Sequence, residues 1–118
     1  VSVTEEEVLG FVRSSLSSVW ELEVLLLLHG ARERSWNASD INRTLRASKR
    51  AVELAVNGLK RRALVSEETD GCIRYNEGEW DALVAGLVQL SAAKPFAIFN
   101  AISDSQLQNF SDAFRFKG

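Results

Sequence analysis

The chain has 118 residues, 46% of them hydrophobic and 25% charged, which is enough to bury one core and too little for two comfortable domains. Its 14 basic and 16 acidic residues sum to a formal charge of −2, which is not the signature of a nonspecific nucleic-acid binder. One cysteine and one histidine leave no internal disulfide and no Cys-x-x-Cys or His-Glu-x-x-His spacing.

Thr4 followed by Glu7 reads as a capping box that opens a first helix, with Val8, Phe11 and Val12 on its apolar stripe. Ser18 with Glu21 repeats the signal. The helix it opens, Val19 to His29, is apolar nearly all round from Val24 to Leu28 and is expected to be the central buried helix, ending at Gly30 as a C′ glycine. Its apolar run is about half of the ~20 residues that a membrane span needs, and no membrane contact is expected. Trp36 is expected to supply a short strand.

A short helix follows, with Ile41 and Leu45 as inward anchors and Arg43 and Arg46 facing out. After a tight Ala47-Ser48 junction, Ser48 is a natural N-cap for Lys49 to Arg62, a run without proline. Val52, Ala55, Val56 and Leu59 recur at i, i+3, i+4 and i+7 and predict one buried stripe. Arg50, Glu53, Asn57 and Lys60 or Arg61 fall on the opposite face. Seven of the 14 basic residues lie between Arg43 and Arg62, with Glu53 the one acid among them. A helix of this kind seats its apolar stripe on the domain and offers its polar face to a major groove, where Arg reads guanine and Asn reads adenine. Arg43 and Arg46 are then phosphate contacts. The bland alternative is a solvated amphipathic face.

Leu64-Val65 begins an extended segment, Asp70-Gly71 is a hairpin turn signal, and Cys72-Ile73-Arg74-Tyr75 alternates like a strand. Glu67, Glu68 and Asp70 place negative charge at the hairpin tip, with Arg74 the compensating cation. Asn76 with Glu79 marks another helix start, and Trp80, Leu83, Val84, Leu87 and Val88 form its stripe. Lys94-Pro95 breaks that helix, Pro95 opens a segment through Ile102, and Asp104 caps a last helix carrying Leu107, Phe110 and Phe114. Val8, Phe11, Phe96, Phe99, Leu107, Phe110 and Phe114 exceed what one small core covers. They are expected to form a homodimer interface, the alternative being that they fold back over the monomer's own core.

The order of a Trp20–Leu28 helix, Trp36 strand, Ile41–Leu45 helix, Ser48–Arg62 helix and Leu64–Tyr75 hairpin resembles the winged helix-turn-helix domains of small bacterial transcriptional regulators, broadly MarR-like or PadR-like. The resemblance covers residues 18–76, with 1–17 as an N-terminal flanking helix and 77–118 as a C-terminal helical extension, a single compact domain overall. It implies a mainly α fold with a small β-hairpin or three-stranded sheet. It also implies sequence-specific binding of duplex DNA by a homodimeric transcriptional regulator that acts by occupying a promoter. Ser48, Lys49, Arg50, Glu53 and Asn57 would read bases, and the residues near Arg43 and Arg46 would hold phosphates; Lys60, Arg61 and Arg74 complete the expected DNA face. Family members usually carry a basic wing tip, from which Glu67, Glu68 and Asp70 depart. Either this wing is held off the backbone, or it contacts a protein, or the fold has moved to protein binding.

That last possibility makes a protein–protein interaction module, using the acidic wing and the aromatic C-terminus, the alternative function. Catalysis has little support. His29 ends an apolar helix, where it serves as a dipole partner or filler, and Cys72 is expected to be a small core residue on a strand. Carboxylate clusters at Glu5-Glu6-Glu7 and Glu67-Glu68 read as a helix first turn and a solvated loop. No enzyme activity, metal or cofactor is expected. Trp20, Trp80 and Phe99 would line an effector pocket or, more ordinarily, fill the core. No secretion signal is visible, so the cytoplasm is the expected compartment, and the absence of methionine suggests a trimmed start.

Overall fold

The computed structural model describes residues 3–103. Within them the protein is mainly helical, with six helices and a small two-stranded antiparallel sheet. In chain order these are α1 (Glu5–Ser15), α2 (Val19–Gly30), α3 (Ala38–Leu45), α4 (Lys49–Arg61), β1 (Val65–Glu67), β2 (Ile73–Tyr75), α5 (Asp81–Ala93) and α6 (Pro95–Ser103). They group into two compact units, one of residues Ser18–Asp81 and one of the segments that precede and follow it.

In the Ser18–Asp81 unit, α2 packs on α4, α3 packs on α4, and α2 also meets α3 and β2. Leu22, Leu25 and Leu28 from α2, Ile41 from α3 and Val52, Ala55, Val56 and Leu59 from α4 are all buried. The expected stripe of α4 is thus its inward face. Ser18 caps α2 through Glu21 N at 3.2 Å, but Glu21 does not complete a capping box. Its carboxylate turns inward instead, 4% exposed, with Oε1 at 3.7 Å from Arg62 Nη1. Gly58 makes room for it, since a Cβ there would lie 2.5 Å from Glu21 Oε2. Gly30 is the last helical residue rather than a C′ glycine, and Ala31 takes the cap position with φ −129°.

Two reversals in the left-handed region shape the segment from α3 to the sheet. Arg46 ends α3 at φ 55°, with Ala47 N donating to Asn42 O at 3.1 Å. Ala63 follows α4 at φ 60°, its N–H donating to Lys60 O and that of Leu64 to Leu59 O, both at 3.0 Å. This is a Schellman closure with alanine where glycine is the usual choice.

The hairpin pairs Val65 with Tyr75, Ser66 with Arg74 and Glu67 with Ile73. Gly71 at φ 87° lets the turn close, its N–H donating to Glu68 O at 2.9 Å. Trp36 joins β2 through a single antiparallel bridge, with N–H···O bonds of 2.7 Å in both directions to Ile73, so the expected third strand is reduced to one residue. Cys72 precedes β2 in the turn and is half-buried, correcting its expected place in a strand. Asn76 does not start a helix. Its side chain donates to Ala63 O at 2.8 Å and its N–H to Leu64 O at 3.0 Å, tying off the hairpin, and the next helix begins at Asp81.

In the other unit the capping box of Thr4 and Glu7 is complete. Gly86 lets α5 accept the side chains of Val3 and Val8, because a Cβ there would lie 2.6 and 2.9 Å from their Cγ2 atoms. Lys94 pairs with Glu5 at 3.0 Å. A bend of 113° at Lys94 separates α5 from α6, as proline at the first helical turn allows. Among the described residues no single helix is long and apolar enough to cross a membrane. Val8 and Phe11, expected at a dimer interface, are 2% and 5% exposed and belong to the chain's own interior. Phe96 is 78% exposed. Leu107, Phe110 and Phe114, with the helix expected from Asp104, lie outside the described residues.

Candidate nucleic-acid interface

The outward face of α4, the end of α3 and the hairpin carry the expected site residues. Ser48 starts α4 as its N-cap, the hydroxyl accepting from Ala51 N at 3.1 Å. That hydroxyl therefore has a structural task before any contact with a base. Beyond it Lys49, Arg50, Glu53, Asn57, Lys60 and Arg61 are all exposed. At 3.6 residues per turn, Arg50, Asn57 and Arg61 fall within a strip about 40° wide, with Glu53 and Lys60 along one flank. Arg46, at the left-handed turn that joins α3 to α4, is exposed as well.

Acidic neighbours divide these cations into two sets. Arg43 Nη2 donates to Asp40 Oδ1 at 2.7 Å, and Lys60 Nζ pairs with Glu67 Oε1 at 2.6 Å. Among the described residues, Arg46, Lys49, Arg50 and Arg61 have no acidic partner. The Lys60–Glu67 pair also neutralises one of the three acids that make the hairpin unfavourable to a phosphate backbone. Arg74 is committed elsewhere: its Nε and Nη2 donate to the carbonyl oxygens of Arg32 and Glu33 at 3.4 and 3.3 Å. It anchors the α2–α3 loop rather than extending from the wing.

One cation escaped the sequence reading. Arg34 lies over the Trp36 ring, its guanidinium carbon 3.9 Å from the centroid, and its Nη2 is 3.5 Å from Asp40 Oδ2. With Trp36, Asp40, Arg43 and Thr44 it lines a cavity of about 390 Å³. The Arg-x-Trp spacing ahead of α3 was the available signal, but such a loop cation has no periodicity to reveal its partner.

The residues with catalytic potential are tied into the fold. His29 stacks edge-on against Tyr75 at 4.9 Å and has Arg32 Nη1 at 3.2 Å from Nε2. Burial and the Arg32 charge lower its pKa from 6.5. Tyr75 donates its hydroxyl proton to Asp81 Oδ1 at 2.8 Å, and burial, reinforced by that bond, raises its pKa well above the ordinary range. Desolvation and Asp70 raise the Cys72 thiol, the opposite of what activates a nucleophile. Trp20 and Trp80, weighed as pocket lining or core, are 39% and 36% exposed, and Phe99 is 37% exposed.

No protein-family model, curated protein or solved structure matches the chain.

Proposed function

We propose that the Ser18–Asp81 unit is a winged helix-turn-helix that binds duplex DNA sequence-specifically, with α4 in the major groove, as part of a cytoplasmic, non-enzymatic transcriptional regulator that occupies a promoter. The observation that carries this reading is the outward face of α4 and its approach: four cations without an acidic partner among the described residues, interleaved with Asn57 and backed by a buried apolar stripe. The helix order, the Trp36 bridge and the hairpin are in keeping with it. Arg46 and Arg61 supply phosphate neutralisation, and Lys49 and Arg50 with Asn57 supply base contacts. A homodimer joined through the exposed aromatic residues Phe96 and Phe99 would present two such helices to successive groove segments.

Fluorescence anisotropy of the protein against short duplexes at two salt concentrations tests this. Arg50→Ala weakens binding to the preferred sequence by roughly 1–3 kcal/mol, whereas Arg46→Ala weakens all sequences alike and lowers the salt slope by about one. Absence of binding at low salt refutes the reading. The 78% exposure of Phe96 favours a second one, an interaction module that docks a protein partner. In that case Phe96→Ala abolishes partner capture while Arg50→Ala leaves it unchanged.

A further inference from the structure

Leu54 is 56% exposed on α4, opposite the buried stripe of Val52, Ala55, Val56 and Leu59. A solitary exposed leucine is ordinary on a protein surface. Its position is what separates this one from the other exposed apolar side chains. Helical geometry places it between Arg50 at i−4, Asn57 at i+3 and Arg61 at i+7, in one strip about 60° wide. Both arginines of that strip lack an acidic partner among the described residues. The strip is therefore cationic at its ends and apolar at its centre.

We infer that Leu54 is a specificity-determining residue that seats its side chain against the C5 methyl group of thymine, so that the preferred duplex carries thymine next to the base read by Arg50. This rests on the DNA-binding reading of α4. The charge of the strip selects a polyanion, and on the floor of a major groove the apolar group that a base pair offers is the thymine methyl. Adenine, guanine and unmodified cytosine present donors and acceptors there, which a leucine would desolvate without replacing. An Arg–Leu–Asn strip thus discriminates by two means: hydrogen bonds at its polar positions, and at Leu54 a penalty for any edge that is not methylated.

Removing a methyl group isolates this contact without changing base pairing. A pool of 20-base-pair duplexes with randomised centres is bound to the protein, the retained duplexes are sequenced, and the preferred one is resynthesised with deoxyuridine replacing thymidine one position at a time. The burial of one methyl group predicts that uracil at one or two central positions weakens binding about fourfold. In Leu54→Ala, whose helix content is checked by circular dichroism, thymine and uracil bind alike at those positions. Equal binding of thymine and uracil at every position by the parent protein, with affinity still salt-dependent and still lost in Arg50→Ala, overturns the role of Leu54 and leaves the DNA reading standing. No binding of any duplex at low salt overturns both.

Discussion

Gly58 and Glu21 make the packing of α2 on α4 testable at one carbon atom. Substituting alanine in a helix interior normally stabilises by about 1 kcal/mol. Here the added Cβ would lie 2.5 Å from Glu21 Oε2 and 3.0 Å from its Cδ, so the carboxylate must move. That carboxylate belongs to a residue only 4% exposed, and its Oε1 sits 3.7 Å from Arg62 Nη1, so it has little room to swing into solvent. Overpacking of this kind costs about 1–3 kcal/mol, and disturbing a partly buried ion pair adds to it. The balance for Gly58→Ala is a net loss of about 1–2 kcal/mol after the propensity gain is subtracted. In a Glu21→Ala background the obstruction is gone, and the same substitution should stabilise by up to about 1 kcal/mol. Urea unfolding of the four proteins, followed by circular dichroism at neutral pH, gives the coupling between the positions, expected at about 1–3 kcal/mol. A Gly58→Ala change that stabilises both backgrounds equally would refute the close approach of Glu21 to α4.

The left-handed backbone at Arg46 and Ala63 predicts that glycine relieves strain at either position. Ala63→Gly should stabilise by roughly 0.5–1 kcal/mol, read as a shift of the urea midpoint. Arg46→Gly should raise stability similarly while weakening duplex binding, so that stability and binding move in opposite directions at one residue. His29 gives a pH test whose sign follows from its lowered pKa. The unfolded chain takes up the proton more readily, so stability is full above the ordinary value of 6.5 and falls as the pH drops below it. Unfolding midpoints measured between pH 5 and pH 8 should lose that part of their slope in His29→Gln; an unchanged slope would mean that His29 is as easily protonated in the folded protein.

Elements with strong periodicity and chemical caps were legible from the residues. The α4 stripe, the Thr4–Glu7 box and the Ser48 cap lie where spacing alone put them, because each rests on contacts within one or two helical turns. Features that depend on distant partners were not legible. Glu21 read as a capping residue because its spacing from Ser18 fits, yet the gap left by Gly58, far along the chain, draws its carboxylate inward. Asn76 and Arg74 read as a helix cap and a wing cation, but both are spent on backbone carbonyls of earlier loops. Trp36 contributes one bridge rather than a strand, since the helix capped by Asn37 begins immediately after it. Of the candidate site, the polar residues on the exposed face of α4 were readable, whereas the exposure of Leu54 among them, Arg34 and the Asp40 pairing that restrains Arg43 required the tertiary structure.

The pairing pattern bears on why an acidic chain would carry so concentrated a basic segment. At the margin of the candidate face Asp40 holds Arg43, together with Arg34, on the α3 side, and Glu67 holds Lys60 on the hairpin side. These pairs are solvent-exposed and therefore weak, worth at most about 1 kcal/mol apiece. A phosphate arriving at any of these cations displaces a carboxylate at small cost, but it gains less there than at a cation with no such partner. Among the described residues Arg46, Lys49, Arg50 and Arg61 make up that second group, clustered on and beside one helix face. On the DNA-binding proposal, attraction to the polyanion would thereby be strongest at the α4 side chains proposed to read bases and weaker at the edges. A docking geometry that engages only the edges forfeits most of the electrostatic gain, so local acids around a basic helix favour one orientation over the many available to a uniformly positive surface.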